Sequence, residues 1–186
     1  MSRPRPHRKR IRHIDGDGCA RFLTFSCFQR RPFLSSDNAR NWFIEALISA
    51  RRKHPIDLWA YVIMPEHVHV IVWPRSPALK ISDFLSSVKQ SVSKRARNYL
   101  LKNNPKLIEE NGGHFHFWQD GPGYDRNIES DAVLWQSIDY LHLNPVRRGL
   151  CLRPEEWQWS SAGFYAGLID GPIPIDRHSL PADPRR

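Results

Sequence analysis

The run Ile56-Asp57-Leu58-Trp59-Ala60-Tyr61-Val62-Ile63-Met64-Pro65-Glu66-His67-Val68-His69-Val70-Ile71-Val72-Trp73 decides the fold. It holds two strand-like stretches, Ile56 to Met64 and Glu66 to Trp73, rich in β-branched and aromatic residues and separated only by the Met64-Pro65-Glu66 junction. So short a connection leaves no room for a crossover helix, so the two stretches pair antiparallel as a hairpin. Alternate residues of a strand share a face. Val68, Val70 and Val72 therefore point into a core, while His67 and His69 project together from the other side.

Upstream, Arg21-Phe22-Leu23-Thr24-Phe25-Ser26-Cys27-Phe28 reads as the first strand, bounded by Asp15-Gly16-Asp17-Gly18. Ser35 and Ser36 can cap a helix in which Phe43, Ala46, Leu47 and Ala50 recur at i, i+3, i+4 and i+7, and which Pro55 ends. Downstream, between Leu79 and Lys102, Ile81, Phe84, Leu85, Val88, Val92 and Tyr99 form an apolar stripe, with Lys89, Lys94, Arg95 and Arg97 mostly off it. This predicts a long amphipathic helix with a cationic side. After the Asn/Gly-rich link Asn111 to Gly113, His114-Phe115-His116-Phe117-Trp118 reads as a short fourth strand, and Gly121-Pro122-Gly123 breaks the chain. A last helix runs from about Ser130 to Leu143 and stops near Asn144-Pro145. The order strand, helix, strand, strand, helix, strand, helix predicts an α+β domain of the ferredoxin-like, split βαβ kind: a four-stranded antiparallel sheet with helices packed on it. An α/β layer fold is disfavoured because the central strands lack a crossover helix. The expected division is a basic arm over 1–19, one folded domain over 20–165 and an irregular Pro/Gly-rich tail over 166–186.

A chain of 186 residues has room for one domain with a core. With 40% hydrophobic residues, including seven Trp, nine Phe and five Tyr, it can bury enough apolar surface to exclude disorder of the whole chain. No apolar run approaches the ~20 residues that span a bilayer. Arg3, Arg5, Arg8, Lys9, Arg10 and Arg12 occupy the stretch where a signal peptide would carry its apolar segment, so the expected location is cytoplasmic. Lys and Arg number 28 against 19 Asp and Glu, a net charge of +9, which makes nucleic acid the leading partner class ahead of a basic protein that merely stays soluble. Cys19, Cys27 and Cys151 form no C-x-x-C pair and have no His at finger spacing, which argues against a zinc finger or disulfide scaffold.

The two imidazoles of His67 and His69 are spaced for joint coordination of a divalent cation. A second such pair, His114 and His116, stands on the expected fourth strand, and periodicity does not rank the two. Tyr140 and Asn144, at i and i+4, share a helical face. Alone, the tyrosine reads as a core aromatic and the asparagine as a helix end. Together with a metal and nearby cations, a phenol is a competent nucleophile toward phosphorus.

Several segments in order, Trp59 to Ile71, then Phe117-Trp118-Gln119 with Tyr124-Asp125-Arg126-Asn127-Ile128, then Tyr140-Leu141-His142-Leu143-Asn144-Pro145-Val146-Arg147-Arg148-Gly149-Leu150, and finally Trp157-Gln158-Trp159-Ser160-Ser161, resemble the REP-associated tyrosine transposases. These are relatives of the single-strand insertion-sequence transposases in the HUH endonuclease group, and the resemblance covers roughly residues 20 to 165. It implies that His67 and His69 bind the metal, Mg²⁺ or Mn²⁺, that Asn144 falls at the third ligand position and that Tyr140 is the nucleophile. Tyr124, in the family's loop segment, is the runner-up. The implied activity is metal-dependent cleavage and rejoining of single-stranded DNA near REP-like hairpins through a 5′-phosphotyrosine intermediate. The implied partner is single-stranded or hairpin DNA, the implied state monomer or homodimer. Lys89, Lys94, Arg95, Arg126, Arg147 and Arg148 are the expected phosphate contacts, and Trp118 an expected stacking platform for an unpaired base. The competing readings are a noncatalytic nucleic-acid-binding module and a metal-dependent hydrolase.

Overall fold

The structure, a computed structural model, describes residues 18–109, 112–121, 123–168 and 170–185, so the expected basic arm lies, but for Gly18 and Cys19, outside the described residues. In chain order the elements are β1 (Ala20–Ser26), α1 (Asp37–Lys53), β2 (Ile56–Ile63), β3 (His67–Pro74), α2 (Ile81–Asn103), α3 (Pro105–Glu109), β4 (Tyr124–Ile128), α4 (Asp131–His142), α5 (Asn144–Arg147) and α6 (Ala162–Tyr165), with short 3₁₀ turns between some of them. The sheet order is β2-β3-β1-β4, and every neighbouring pair is antiparallel. This is the ferredoxin-like α+β arrangement expected from the hairpin: α1 and α2 each connect strands that are not neighbours.

Both sheet faces are covered, by different helices. Leu23, Phe25, Val68, Val70 and Val72 meet α1 and α2 through Phe43, Leu47, Phe84, Val88 and Val92. On the other face Phe22, Ala60, Val62 and Ile71 meet α4 through Leu134, Trp135, Ile138 and Leu141. Helix α1 is capped by Ser36, whose hydroxyl accepts from Ala39 N at 3.3 Å, and α4 by Ser130, which accepts from Val133 N at 3.3 Å. Helix α4 ends at His142, next to the expected stop, and Asn144-Pro145 then opens the short α5, where proline suits the first turn of a new helix.

The fourth strand is not His114 to Trp118. That segment is coil with a single bridge, Trp118 opposite Cys27, and β4 is the more polar Tyr124–Ile128. The alternation of His and Phe imitates a strand, and Phe115 and Phe117 do share a side, both packing on Phe33 at 5.6 and 5.4 Å between ring centroids, but the backbone forms no ladder beyond the one bridge. What β4 lacks in apolar residues it gains from a buried ion pair: Arg21 on β1 donates through Nε and Nη2 to the two carboxylate oxygens of Asp125 at 2.8 and 2.7 Å.

The expected irregular tail carries little regular structure but packs along the free edge of β2. Just ahead of it Ser160 bridges Val62; within it Asp176 accepts from Leu58 N at 2.7 Å and pairs with Arg51 at 2.5 Å, and Ile173 is buried in the α1–α2 side of the core. Unpaired strand edges are sites of aberrant pairing, and this strap covers one. Among the described residues no helix is long and apolar enough to cross a membrane.

Candidate active site

The register of three strands aligns the site. His69 on β3 lies opposite Thr24 on β1, and Thr24 lies opposite Tyr124 on β4, so the three side chains form one row on one face. The next row is Ile71, Phe22 and Arg126. Helix α4 lies over this face and presents Val133, Gln136, Ser137 and Tyr140, at i, i+3, i+4 and i+7, toward the rows. Between helix and sheet a cleft of about 570 Å³ remains.

His67 and His69 are both 6% exposed, and their Nε2 atoms stand 3.0 Å apart. The outer nitrogen of each ring is engaged. Nδ1 of His67 faces Glu66 Oε1 at 3.2 Å, and Nδ1 of His69 faces Thr24 Oγ1 at 2.6 Å. A carboxylate only accepts, so it fixes the proton of neutral His67 on Nδ1 and leaves Nε2 bare and aimed at His69. Burial holds the His67 imidazole below its ordinary pKa against the opposing pull of Glu66. Burial, then the neighbouring His67 and Arg30, push His69 down to about 3. Both rings are therefore neutral near pH 7, the form in which imidazole binds metals.

These residues fit a divalent cation. Two ligands at ~2.1 Å from an ion and at right angles to each other stand ~3.0 Å apart, the spacing of the two Nε2 atoms. Two bare nitrogens at that separation repel unless a proton or a cation lies between them. Thr24 serves either state, because its hydroxyl can donate to Nδ1 of His69 or accept from it. Asn144 supplies the third candidate donor. Its Nδ2 donates to the carbonyls of Tyr140 and Leu141 at 2.9 and 3.1 Å, and its side chain lies within hydrogen-bonding reach of His69. Among the described residues no three of His, Cys, Asp or Glu converge, and the candidate donors are two imidazoles and an amide.

Tyr140 is 48% exposed and lines the same cleft, its ring centroid 6.3 Å from that of His69. The Arg147 guanidinium stands over the Tyr140 ring at 4.8 Å. Arg148 pairs with the outer side of the site through Glu66 at 3.0 Å, and Arg126 donates to Ser137 Oγ at 3.0 Å. His67, His69, Asn144, Tyr140, Arg126, Arg147 and Arg148 thus surround one face of the sheet within a single chain. Tyr124, 42% exposed, lines the cleft from the β4 side.

The remaining expected DNA contacts sit elsewhere. Lys89, Lys94 and Arg95 belong to α2, on the opposite face of the sheet from Tyr140. Lys89 is half-buried over Phe25, its ammonium donates to Gly121 O at 3.0 Å, and burial lowers its pKa; Arg95 pairs with Glu45 of α1; Lys94 is exposed. Trp118 is not a surface platform. Its indole packs on Phe25, Phe43 and Phe117 and donates to Lys89 O at 3.1 Å, which leaves 6% of the residue exposed. His114 and His116 are exposed on coil, where His116 stacks on Phe28, so the structure ranks the hairpin pair above them. Sequence reasoning missed Glu66 and Thr24, the groups that orient the two rings. Glu66 adjoins His67 with no periodic signal, and Thr24 is 45 residues from His69 in sequence.

Known proteins bear on this geometry in three ways. The family model described as "Transposase IS200 like" matches residues 18–129. A REP-associated tyrosine transposase of Escherichia coli (strain K12) is 27% identical over 134 residues, which cover 70% of this chain and 68% of the relative. A solved structure of a REP-associated tyrosine transposase bound to a REP hairpin superposes with a TM-score of 0.67 at 20% identity, covering 94% of this chain and 97% of the other, and supports the fold. The resemblance read from the sequence thus stands, and on a match spanning more than half its length the chain belongs to the IS200-like transposase family.

Proposed function

We propose that this protein is a metal-dependent single-strand DNA transposase that cleaves and rejoins DNA beside REP-type hairpins through a 5′-phosphotyrosine at Tyr140. The observation that carries the reading is the convergence of an exposed phenol with two neutral, oriented imidazoles on one sheet face. Family membership and the relative that binds a REP hairpin support the substrate class.

Held by His67, His69 and Asn144, Mg²⁺ or Mn²⁺ would supply Lewis-acid polarisation of the scissile phosphate. Glu66 and Thr24 keep the two rings turned so that their Nε2 atoms face the site. The Tyr140 oxygen forms the new bond to phosphorus as the bond to the 3′ oxygen breaks; the phenol proton is lost and the departing oxygen is protonated to a free 3′-OH. Arg147, over the ring, and Arg126, at the rim, place fixed positive charge where the phosphate must lie. The phosphotyrosine keeps an ester of comparable energy, so a 3′-OH can capture the end without an external energy source. A strand inside a paired duplex obstructs this approach, which favours an unpaired segment next to the hairpin.

The test is adduct formation on a denaturing gel with a REP hairpin oligonucleotide carrying a single-stranded flank, in Mn²⁺. Tyr140→Phe abolishes the slow-migrating protein–DNA species while Tyr124→Phe retains it. An undiminished adduct from the Tyr140→Phe protein contradicts the proposal. Product release with no adduct from the unmodified protein favours a hydrolase, and hairpin binding without cleavage favours a binding module.

A further inference from the structure

The cleft beside Tyr140 extends past the tyrosine to Val133, Gln136 and Arg126. At about 570 Å³ it has room for a nucleotide unit. Its floor is apolar, with Phe22 almost fully buried. Two of its walls are aromatic and unusually open: Tyr124 and Tyr140 are 42% and 48% exposed, and their ring centroids lie 6.4 and 6.3 Å from that of Phe22. On the α4 side, the exposed amide of Gln136 lies between the positions of Val133 and Tyr140 on the same helical face. An amide carries both a donor and an acceptor, the pairing needed to read a base edge. Arg126, fixed by its bond to Ser137, sets a positive charge at the mouth.

An aromatic wall, an amide on the facing helix and a cation at the entrance match an unstacked nucleobase with its phosphate outside. We propose that this cleft holds one unpaired base of the single-stranded flank, laid against the Tyr124 ring and read at its edge by Gln136. The inference rests on the function proposed above and adds to it the part of the substrate recognised and the residues that select it. Tyr124 is then a binding residue and not a second nucleophile.

The experiment uses the full chain carrying Tyr140→Phe, so that no cleavage intervenes, and REP hairpin oligonucleotides with 2-aminopurine placed in turn at each unpaired flanking position. One position is quenched on binding; the quench is lost in Tyr124→Ala and kept in Tyr124→Phe, because stacking needs the ring and not the hydroxyl. In the same Tyr140→Phe protein, removing that base weakens binding by ~5- to 150-fold, the range expected for one stacked base, and has no further effect when Tyr124→Ala is added. Gln136→Ala leaves the quench and flattens the preference among the four bases there. Quenching at no position, or a quench unchanged by Tyr124→Ala, overturns the inference. So does loss of the covalent adduct in Tyr124→Phe, which would make that phenol the nucleophile. If the adduct forms normally on Tyr140 while the quench is absent, this inference alone fails; if no adduct forms with Tyr140 intact, the proposed function fails with it.

Discussion

Glu66 sits behind the His67 ring, on the side away from His69, and holds His67 Nδ1 at 3.2 Å and Arg148 at 3.0 Å. It is 6% exposed. A carboxylate in that position raises the basicity of the imidazole and fixes its tautomer, so its loss weakens a metal held on the opposite nitrogen. Glu66→Gln is expected to lower Mn²⁺ affinity by about 10- to 100-fold, read by titration of the Mn²⁺ paramagnetic resonance signal. Unchanged affinity would show that the ring is oriented without the charge. Sequence pattern exposed the imidazole pair because strand alternation is local, and likewise the i, i+4 spacing of Tyr140 and Asn144. It did not expose Glu66 or Thr24, whose roles depend on which side of a ring they occupy once the sheet has formed. Trp118 shows the opposite error: an aromatic between Phe and Gln looks available to a base, yet its bridge to Cys27, just past β1, folds it into the core.

At the scale of elements, β4 is the strand that local pattern could not locate. Tyr-Asp-Arg-Asn-Ile has little strand propensity, and its pairing depends on the buried contact between Asp125 and Arg21, 104 residues apart. No local window contains that information, whereas the β2–β3 hairpin is written in consecutive residues. Breaking a buried ion pair by removing one partner is strongly destabilising, so Asp125→Ala is expected to lower unfolding free energy by about 3 kcal/mol in urea titrations and to loosen the wall that bears Tyr124. A change of less than ~0.5 kcal/mol, the range of ordinary surface substitutions, would mean that the backbone ladder alone holds β4. Helix α4 is fastened differently. His142 Nε2 meets Ser161 Oγ at 2.8 Å, and that hydroxyl also accepts from Tyr61 N at 3.0 Å. The helix that carries Tyr140 is thereby tied to the β2 edge.

Among the described residues of the molecule three imidazoles are buried, His67, His69 and His142, and burial lowers the pKa of each. For His142 the native value is pushed down to about 4 from the ordinary 6.5. The unfolded chain therefore binds protons first, so stability is fully present above pH 6.5 and is lost as pH falls toward 4. Keeping His142 neutral over that window costs the fold about 3 kcal/mol, since each tenfold rise in proton concentration favours the protonated, unfolded chain by ~1.36 kcal/mol. The urea midpoint of the metal-free protein should fall steeply below pH 6, and His142→Gln should flatten part of the slope. A midpoint constant from pH 7 to 4 would contradict the buried neutral state.

The charge of the whole chain pointed to nucleic acid, but the fold divides the cations. Arg126 lines the cleft, Arg147 stands over the Tyr140 ring and Arg148 pairs with Glu66 behind His67, whereas Lys89, Lys94 and Arg95 lie beyond the sheet. One chain brings the tyrosine and both imidazoles together, and on that convergence the proposed chemistry depends. It is tested most directly by incubating the protein with a REP hairpin oligonucleotide and Mn²⁺, digesting it, and locating the nucleotide-bearing peptide by mass. The added mass is expected on the peptide containing Tyr140, dependent on the metal and absent from His67→Ala. A modified Tyr124 peptide, or cleaved DNA with no modified peptide, would contradict it.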